Sequence, residues 1–148
     1  MRVFVFKKEL WLPRQVDQVF PFFADARNLE RITPPWLQFS VLDRGPIHMA
    51  SGTRINYQLR MRGIPIRWQS EITIWEPPVR FVDQQRRGPY RLWIHEHRFV
   101  EKNGGTMAFD EVKYAVPGGS VVNRLFVSRD VEKIFDYRSQ KLKEIFSR

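Results

Sequence analysis

Two histidines separated by one residue, His95 and His97, are the side chains of this sequence best suited to acid/base chemistry or ligand binding. They lie in a stretch rich in aromatic and branched residues, which predicts a strand. Side chains two positions apart in a strand point to the same face, so Trp93 and Phe99 share the face of the histidines. Because two large aromatic residues favour burial, we predict that His95 and His97 point into the interior.

Polar residues on neighbouring strands could meet the histidines on this inner face. Asp110, Val112 and Tyr114 share a face of the last predicted strand, and Phe81, Asp83 and Gln85 share a face of an earlier one. If both faces point inward, the concave surface holds two imidazoles, two carboxylates, a phenol and an amide. Buried polar groups need hydrogen-bond partners, so this cluster must either pair internally or contact a ligand.

The cluster of His95, His97 and Asp110 has three interpretations. One is a satisfied internal hydrogen-bond network; if the predicted inner face is wrongly assigned, the same side chains are solvated instead. Another is the polar end of an apolar ligand pocket, since such pockets contain a few convergent polar groups. The third is a metal site with two histidines and a carboxylate as ligands. A third histidine, His48, lies in a predicted loop, and we predict neither a metal ion nor another cofactor.

Nothing in the spacing of these residues requires catalysis. His95 or Asp110 could serve as a general base or acid, but no Ser/His/Asp arrangement and no glycine-rich phosphate loop can be assembled from the sequence. Gly104-Gly105 belongs to a predicted hairpin turn. We therefore predict no catalytic residue, and a ligand-binding protein without catalysis is the simpler hypothesis.

Large aromatic residues and one arginine complete the candidate site. The aromatic residues are needed for core packing, but a cavity would be the unfilled part of that core, so packing and ligand contact overlap. Arg138 lies one helical turn from Ile134 and Leu142, beside the buried face. Either its stem packs on the core with its head in water, or its head anchors Asp110 or an acidic group of a ligand. The predicted ligand-binding residues are Trp68, Gln85, Trp93, His95, His97, Phe99, Asp110, Tyr114 and Arg138.

These side chains need elements that hold them, and the clearest is a helix predicted over Gly118–Arg148. Its apolar residues recur every three or four positions from Val121 to Phe146, which is typical of an amphipathic helix. The segment from Pro117 to Ser120 interrupts the preceding strand, and Ser120 is the predicted N-cap. A long amphipathic helix after a series of strands predicts a sheet that curves around it.

The rest of the chain is predicted to be mostly strands, with two short helices after the first strand. The first strand is Arg2–Leu12, and the helices are Gln15–Phe23 and Ala26–Ile32. Pro21 should kink or split the first helix, whereas Asp25 can cap the second. Six further strands, with hairpin turns at Arg62–Pro65 and Lys102–Gly105, are predicted at Trp36–Leu42, Gly52–Met61, Ile66–Trp75, Arg80–Gln85, Tyr90–Glu101 and Thr106–Val116.

The composition fits one soluble domain over residues 1–148. The absence of cysteine excludes disulfides, thiolate metal sites and cysteine catalysis, and we expect a cytoplasmic location. The apolar run Val3–Phe6 is too short for a signal peptide, and no segment could span a membrane as a helix. The net charge of +9 would suit nucleic acid, but the basic residues are scattered, which predicts a solvated basic surface. The oligomeric state, monomer or homodimer, stays open.

Three short segments resemble the START-like or SRPBCC superfamily of helix-grip proteins. They are Phe22–Leu29 within the pair of short helices, Gly52-Thr53 before the third strand, and Trp75-Glu76-Pro77-Pro78 with Arg80-Phe81 between the fourth and fifth strands. The resemblance covers essentially the whole chain. It implies an α+β helix-grip fold, in which a curved seven-stranded antiparallel sheet, two short helices and one long C-terminal helix enclose a cavity.

The same resemblance implies that the protein binds, transports or presents a small hydrophobic molecule, such as a lipid, an isoprenoid or quinone, or a polyketide-like aromatic. The cavity walls would gain about 25 cal/mol per Å² of apolar ligand surface covered, and His95, His97 and Asp110 would orient the polar end. The first alternative is a cyclase/dehydratase-type enzyme that uses the same cluster, because polyketide-cyclase relatives perform acid/base chemistry there. The second is a module that binds a protein or nucleic-acid partner through its basic surface.

Overall fold

A computed structural model of the chain describes residues 1–147, and Arg148, the predicted end of the long helix, lies outside them. Seven strands form one sheet: β1 Phe4–Leu12, β2 Ser40–Val41, β3 Arg54–Met61, β4 Ile64–Glu76, β5 Arg80–Arg87, β6 Leu92–Lys102 and β7 Gly105–Ala115. Neighbouring strands are antiparallel in the order β1-β7-β6-β5-β4-β3-β2, so the first strand pairs with the last. The predicted α+β class and the number of strands are confirmed.

Two-residue turns join β3 to β4 and β6 to β7. At Arg62-Gly63 and Asn103-Gly104 all four residues have φ between 51° and 80°. Positive φ at both turn positions is the geometry that follows the right-handed twist of a hairpin. The observed turn between β3 and β4 is therefore shorter than the predicted Arg62–Pro65, because β4 already begins at Ile64.

The first short helix, α1, spans Val16–Phe23 and packs against β6 and β7. Pro21 lies inside α1 and does not split it. Proline removes one helical hydrogen bond, but the apolar face of this helix compensates by burying Val19, Phe20 and Phe23 in the core. Tertiary packing thus overrides the local signal to break the helix.

The second short helix, α2, spans Leu29–Ile32 and is preceded by a 3₁₀ turn over Ala26–Asn28. The Asp25 side chain accepts a hydrogen bond from the Arg27 backbone N–H at 3.0 Å. This bond satisfies a donor at the start of the turn that no helical carbonyl can reach. The predicted cap at Asp25 is confirmed, although the segment that it opens is 3₁₀ before it is α-helical.

The strand predicted over Trp36–Leu42 is wrong for most of its length. Pro35–Leu37 form a 3₁₀ turn, Gln38 follows with φ of 46°, and only Ser40–Val41 pair with β3. Proline has no N–H to donate to a strand ladder and is well tolerated at the start of a helical turn. As a result, Trp36 lies on an exposed turn.

The C-terminal helix runs from Gly119 to Phe146 as α3 Gly119–Val122, a π-helical segment Asn123–Val127 and α4 Ser128–Phe146. This confirms most of the predicted helix, but the predicted N-cap at Ser120 is wrong. Gly118 occupies the cap with φ of 86°, a conformation that glycine adopts without strain, and Ser120 lies inside α3. The buried stripe of α4 consists of Val131, Phe135, Arg138, Leu142 and Phe146.

The apolar core consists of two clusters on the concave face of the sheet. The first surrounds Phe20 and Phe81 beside α1 and the C-terminal end of α4, and the second surrounds Tyr114 and Phe135. Phe81 of the first cluster contacts the ring of His97, and Phe135 of the second contacts the ring of His95. Among residues 1–147, no helix is both long and apolar enough to cross a membrane.

Candidate ligand-binding site

His95 and His97 lie on β6 and face the C-terminal helix. Their exposed fractions are 5% and 4%. Phe81 stacks on His97 with ring centroids 4.1 Å apart, and Phe135 of α4 meets His95 edge-on at 5.4 Å. The predicted inward orientation is confirmed, and the interpretation of both histidines as solvated side chains is wrong.

The two imidazoles form a crossed network with carboxylates on the adjacent strands. In the sheet register, His95 pairs with Asp83 of β5, and His97 pairs with Asp110 of β7. The short hydrogen bonds instead follow the diagonals, from His97 Nε2 to Asp83 Oδ2 and from His95 Nε2 to Asp110 Oδ1, both at 2.6 Å. The separation between His95 Nδ1 and Asp83 Oδ2 is 3.9 Å, too long for a hydrogen bond. The predicted internal network is present, and within residues 1–147 His95 Nδ1 makes no hydrogen bond.

Burial sets the protonation of His97. It lowers the pKa of His97 to about 4, with the charge of His95 acting in the same direction, against the opposing effect of Asp83. Neutral His97 must donate from Nε2, because the ionised Asp83 carboxylate can only accept. Its Nδ1 is then an acceptor, and Arg138 Nη2 lies 3.5 Å away.

The two carboxylates stay ionised inside the protein. Burial alone would raise their pKa values. For Asp83, the hydrogen bond from His97 and the charge of His95 hold the pKa below its ordinary value. For Asp110, the charge of Arg138 and the hydrogen bond from His95 have the same effect on the pKa. The site therefore contains two ionised, half-buried carboxylates, which are stabilised by the two histidines and, for Asp110 above all, by the charge of Arg138.

Arg138 brings a buried cation from α4 to this network. Its guanidinium lies over the rings of Phe23 and Phe135, at 5.5 and 5.7 Å from their centroids, and Nη2 is 3.7 Å from Asp110 Oδ1. The Arg138 side chain is 10% exposed, so the interpretation with the head in water is wrong, whereas the pairing with Asp110 is present. Among residues 1–147, Arg138 Nε has no hydrogen-bond partner. This cation is thus held mainly by charge and aromatic stacking.

A cavity of about 170 Å³ lies between the concave face of the sheet, α2 and α4. The candidate residues Trp68, Trp93, His95, His97 and Arg138 line it. Its polar lining is completed by Ser70, Thr33 and Asp83. The remaining wall is apolar or aromatic and consists of Leu29, Ile32, Leu37, Phe39, Tyr57, Leu59, Met61, Tyr90, Val131, Ile134 and Phe135.

Four other candidate residues lie near the cavity without lining it. Asp110 binds His95 and does not reach the cavity. Phe99 packs against Phe20, with the two ring centroids 5.5 Å apart. The Tyr114 hydroxyl donates to Asn123 Oδ1 at 2.7 Å, which ties β7 to the π-helical segment.

Gln85, the last of the four, stabilises a turn. Its Nε2 donates to the Tyr90 carbonyl at 2.7 Å, and its Oε1 accepts from the Tyr90 N–H at 3.1 Å. This bidentate contact places the Tyr90 ring on the cavity wall. Sequence reasoning missed Tyr57, Leu59 and Tyr90 as wall residues; the signal available for the first two is their alternation with polar residues along β3.

Three of these side chains have the chemistry to hold a metal ion. Asp83, His95 and His97 each offer one ligand atom, and these atoms lie within 4.8 Å of one another. Two nitrogens and one carboxylate oxygen make half of an octahedral set. An ion there would have to replace the His97–Asp83 hydrogen bond and lie close to Arg138 Nη2, which is 3.5 Å from His97 Nδ1. The existing cation makes this the less favourable use of the cluster.

The mouth of the cavity opens between the turn at Trp36, the β3–β4 hairpin and α4. Leu37, Met61 and Ile134 line both the cavity and an outer groove of about 640 Å³. Across the mouth, Arg62 Nη2 of the hairpin binds Asp130 of the helix, at 3.1 and 3.2 Å from the two carboxylate oxygens. This ion pair connects the two elements that would have to separate to widen the opening.

Comparisons with known proteins agree with this architecture. Residues 12–143 match a family model described as polyketide cyclase/dehydrase and lipid transport. No curated protein matches the chain. The Zhui aromatase/cyclase from a Streptomyces species superimposes with a TM-score of 0.78 at 14% identity, covering 99% of this chain and 95% of that one.

Two further solved structures have the same fold. Protein Ms6760 from Mycobacterium smegmatis has a TM-score of 0.72 at 17% identity, covering 99% of this chain and 97% of that one. The major latex-like protein 151 from Panax ginseng has a TM-score of 0.73 at 10% identity, with 97% of each chain covered. At these identities the likeness concerns the fold, which is the helix-grip arrangement, and it leaves the ligand open.

Proposed function

The chain belongs to the polyketide cyclase/dehydrase and lipid-transport family, and we propose that it binds a small hydrophobic molecule in the cavity between the sheet and α4. The observation that carries this proposal is an apolar cavity with buried His95 and His97 and half-buried Asp83 at one end. Sites for small molecules combine a mostly apolar wall with a few convergent polar groups. A satisfied network alone would not need an aromatic-lined space beside it.

The size of the cavity limits what it can enclose. At about 170 Å³, it is close to the roughly 150 Å³ engineered cavity of another protein that takes up benzene. One ring or a short branched group fits, whereas several fused rings do not. The groove beyond Leu37, Met61 and Ile134 has room for more. We therefore expect a ring or compact head inside the cavity, with any chain running out through the mouth, as a quinone with an isoprenoid tail would lie.

The charges around the cavity favour a neutral polar end on the ligand. Asp83 and Asp110 are both ionised, and Arg138 is the leading counter-charge for Asp110. A ligand carboxylate would add a third negative charge to a buried site, which is costly in a low-dielectric interior. A hydroxyl or carbonyl group avoids that cost, because His95 Nδ1 can accept from a hydroxyl when the imidazole is neutral and donate to a carbonyl when it is protonated. We assign Trp68, Trp93, His95, His97 and Arg138 to contact with the ligand.

Filling the mouth of the cavity tests this proposal. Native mass spectrometry of the purified protein would first identify any bound molecule, and a one-ring phenol serves as the probe otherwise. Ile134→Trp should weaken binding at least about tenfold, because the larger ring takes the ligand's space. Val79→Trp is the matched control, since Val79 is 52% exposed on the turn after β4, at the end opposite the mouth. Equal affinity for both variants would contradict binding in the cavity.

Acid/base catalysis is a second candidate, and the orientation of His95 favours it. Asp110 accepts from His95 Nε2 at 2.6 Å, which leaves Nδ1 of the neutral imidazole as a base in a residue that lines the cavity. His95 could take a proton from a carbon beside a carbonyl and return it to a departing β-hydroxyl, which leaves as water. This is chemistry of the dehydratase type. His95→Gln should then abolish turnover of a β-hydroxycarbonyl probe while leaving its affinity within about threefold.

A further inference from the structure

Large apolar side chains on three separate elements are exposed beside the mouth of the cavity. Trp36, on the 3₁₀ turn, is 56% exposed, Ile64 at the hairpin is 62% exposed, and Phe126 on the π-helical segment is 46% exposed. The Arg62 guanidinium lies 5.0 Å from the centre of the Phe126 ring and lines the outer groove together with Trp36. We call Trp36, Arg62, Ile64 and Phe126 the mouth edge.

The π-helical segment turns apolar residues of the C-terminal helix towards solvent. Leu125 is 49% exposed, and Val121, one turn earlier, is 57% exposed. Farther along the same helix, α4 buries Val131 and Phe135. Single exposed apolar residues are ordinary, but a group gathered from separate elements around one opening indicates an interaction surface. π-Helical turns inside a helix are frequent at functional sites.

Basic side chains accompany this apolar group. Lys133 lines the outer groove with Arg62, and Arg124 and Arg129 are exposed on the same helical run. The acidic residue in the groove, Asp130, is already bound by Arg62. The whole chain carries a net charge of +9. Apolar and aromatic side chains mixed with lysine and arginine suit the interface of an anionic lipid bilayer.

We propose that the mouth edge docks on the surface of an anionic membrane, so that the cavity exchanges its hydrophobic ligand with the bilayer. This inference rests on the proposed ligand-binding function. Trp36 and Phe126 enter the headgroup region, and Arg62 and Lys133 contact lipid phosphates. A phosphate competes with Asp130 for Arg62, which removes the ion pair between the hairpin and α4 and widens the mouth at the membrane. Docking and opening are thereby coupled.

Vesicle co-sedimentation of the full chain tests the docking. One set of vesicles contains phosphatidylcholine alone, and the other contains phosphatidylcholine with phosphatidylserine. We expect binding to the second set only, and we expect it to weaken as salt is added. The double variant Trp36→Ser/Phe126→Ser should lower partitioning at least about tenfold, because each ring contributes apolar contact with the interface.

A matched variant controls for the loss of exposed apolar surface in general. Val79 and Val100 are 52% and 45% exposed and lie beside each other, joined by the bond from the Phe99 N–H to the Val79 carbonyl. This is the end of β4 opposite the mouth, so Val79→Ser/Val100→Ser should leave partitioning unchanged.

Each of the following outcomes would contradict docking of the mouth edge on an anionic membrane. Equal binding to both vesicle sets, or equal loss in both double variants, would contradict a specific basic and apolar edge. A mouth-edge variant that changes the oligomeric state by light scattering instead of vesicle binding would make this edge a contact between copies of the chain. Absence of vesicle binding in a protein that still takes up the one-ring probe in solution overturns the docking alone. Loss of probe binding as well would overturn the proposed function.

Discussion

The imidazoles of His95 and His97 stack with their centroids 3.6 Å apart, yet each hydrogen-bonds the carboxylate that lies opposite the other in the sheet. The crossing couples β5, β6 and β7 through side chains as well as through the backbone ladder. It also puts Asp110 on the far side of the pair, next to Arg138, and Asp83 on the cavity side. Removal of any one of these two histidines and two aspartates therefore leaves a charge or a hydrogen-bond donor inside the protein without its partner.

The pairing of Asp110 with Arg138 gives a prediction about stability. Asp110→Asn should lower the free energy of unfolding by about 3 kcal/mol, because Arg138 would stay buried without its neighbouring negative charge. Asp136→Asn is the control: Asp136 is 69% exposed and pairs with Lys8 at the surface, where such pairs contribute below about 1 kcal/mol. Urea denaturation measures both. Equal effects of the two variants would show that the buried charge has no special role.

The depressed pKa of His97 predicts a loss of stability in weak acid. The pKa is about 4 in the folded protein and about 6.5 in an unfolded chain, so between these values the unfolded state binds the extra proton. Stability should therefore fall as the pH drops from about 6.5 to 4, by up to roughly 3 kcal/mol. In His97→Gln the slope of unfolding free energy against pH should be smaller in this window. An NMR titration of His97 with a midpoint above pH 6 would contradict the assignment.

The positions of Tyr114 and Trp93 predict different effects on binding. Tyr114→Phe removes the hydrogen bond to Asn123 and should cost about 1 kcal/mol of stability while leaving affinity for the phenol probe unchanged. Trp93→Leu removes aromatic contact surface from the cavity wall and should weaken that affinity several-fold. Calorimetric titration of both variants makes the comparison. A larger loss of affinity in Tyr114→Phe than in Trp93→Leu would contradict the assignment of Trp93, and not Tyr114, to the cavity wall.

The ion pair across the mouth predicts an effect on exchange rates. Asp130→Ala should raise the rates of ligand entry and exit together in the absence of membranes, because the hairpin is released from α4 while the cavity itself is unchanged. Glu71→Ala is the control, since it breaks surface pairs with Arg54 and Arg86 on the sheet. Stopped-flow fluorescence with the phenol probe separates the two rates. Unchanged rates in Asp130→Ala would contradict a gate at this ion pair.

Much of the fold could be predicted because its local signals agree with its packing. Alternation put His95 and His97 on the inner face of β6, and turn residues such as Asn103-Gly104 marked the hairpins. The failures lie where local and tertiary signals differ. The segment after Pro34 forms a turn instead of a strand, and Gln85 lies in a pairing that shifts register at Gln69/Ser70, so alternation alone could not locate its amide.

The site was harder to predict than the fold because it depends on registers between distant strands. The sequence placed Asp83 and Asp110 on the correct faces, but which carboxylate binds which imidazole follows from side-chain reach across the sheet. Arg138 could be placed beside the buried stripe of its helix. The burial of its head between Phe23 and Phe135 required the crossing of α4 over the sheet.

The pairing of β1 with β7 has a consequence for how the protein is made. Nine consecutive residue pairs, from Phe4 with Tyr114 to Leu12 with Thr106, join the first strand to the last. During translation, β1 leaves the ribosome long before β7, and until then its edge stays unpaired and partly apolar. The sheet cannot be completed until translation has passed Ala115, so we expect slow folding that is completed only after the last strand has been made.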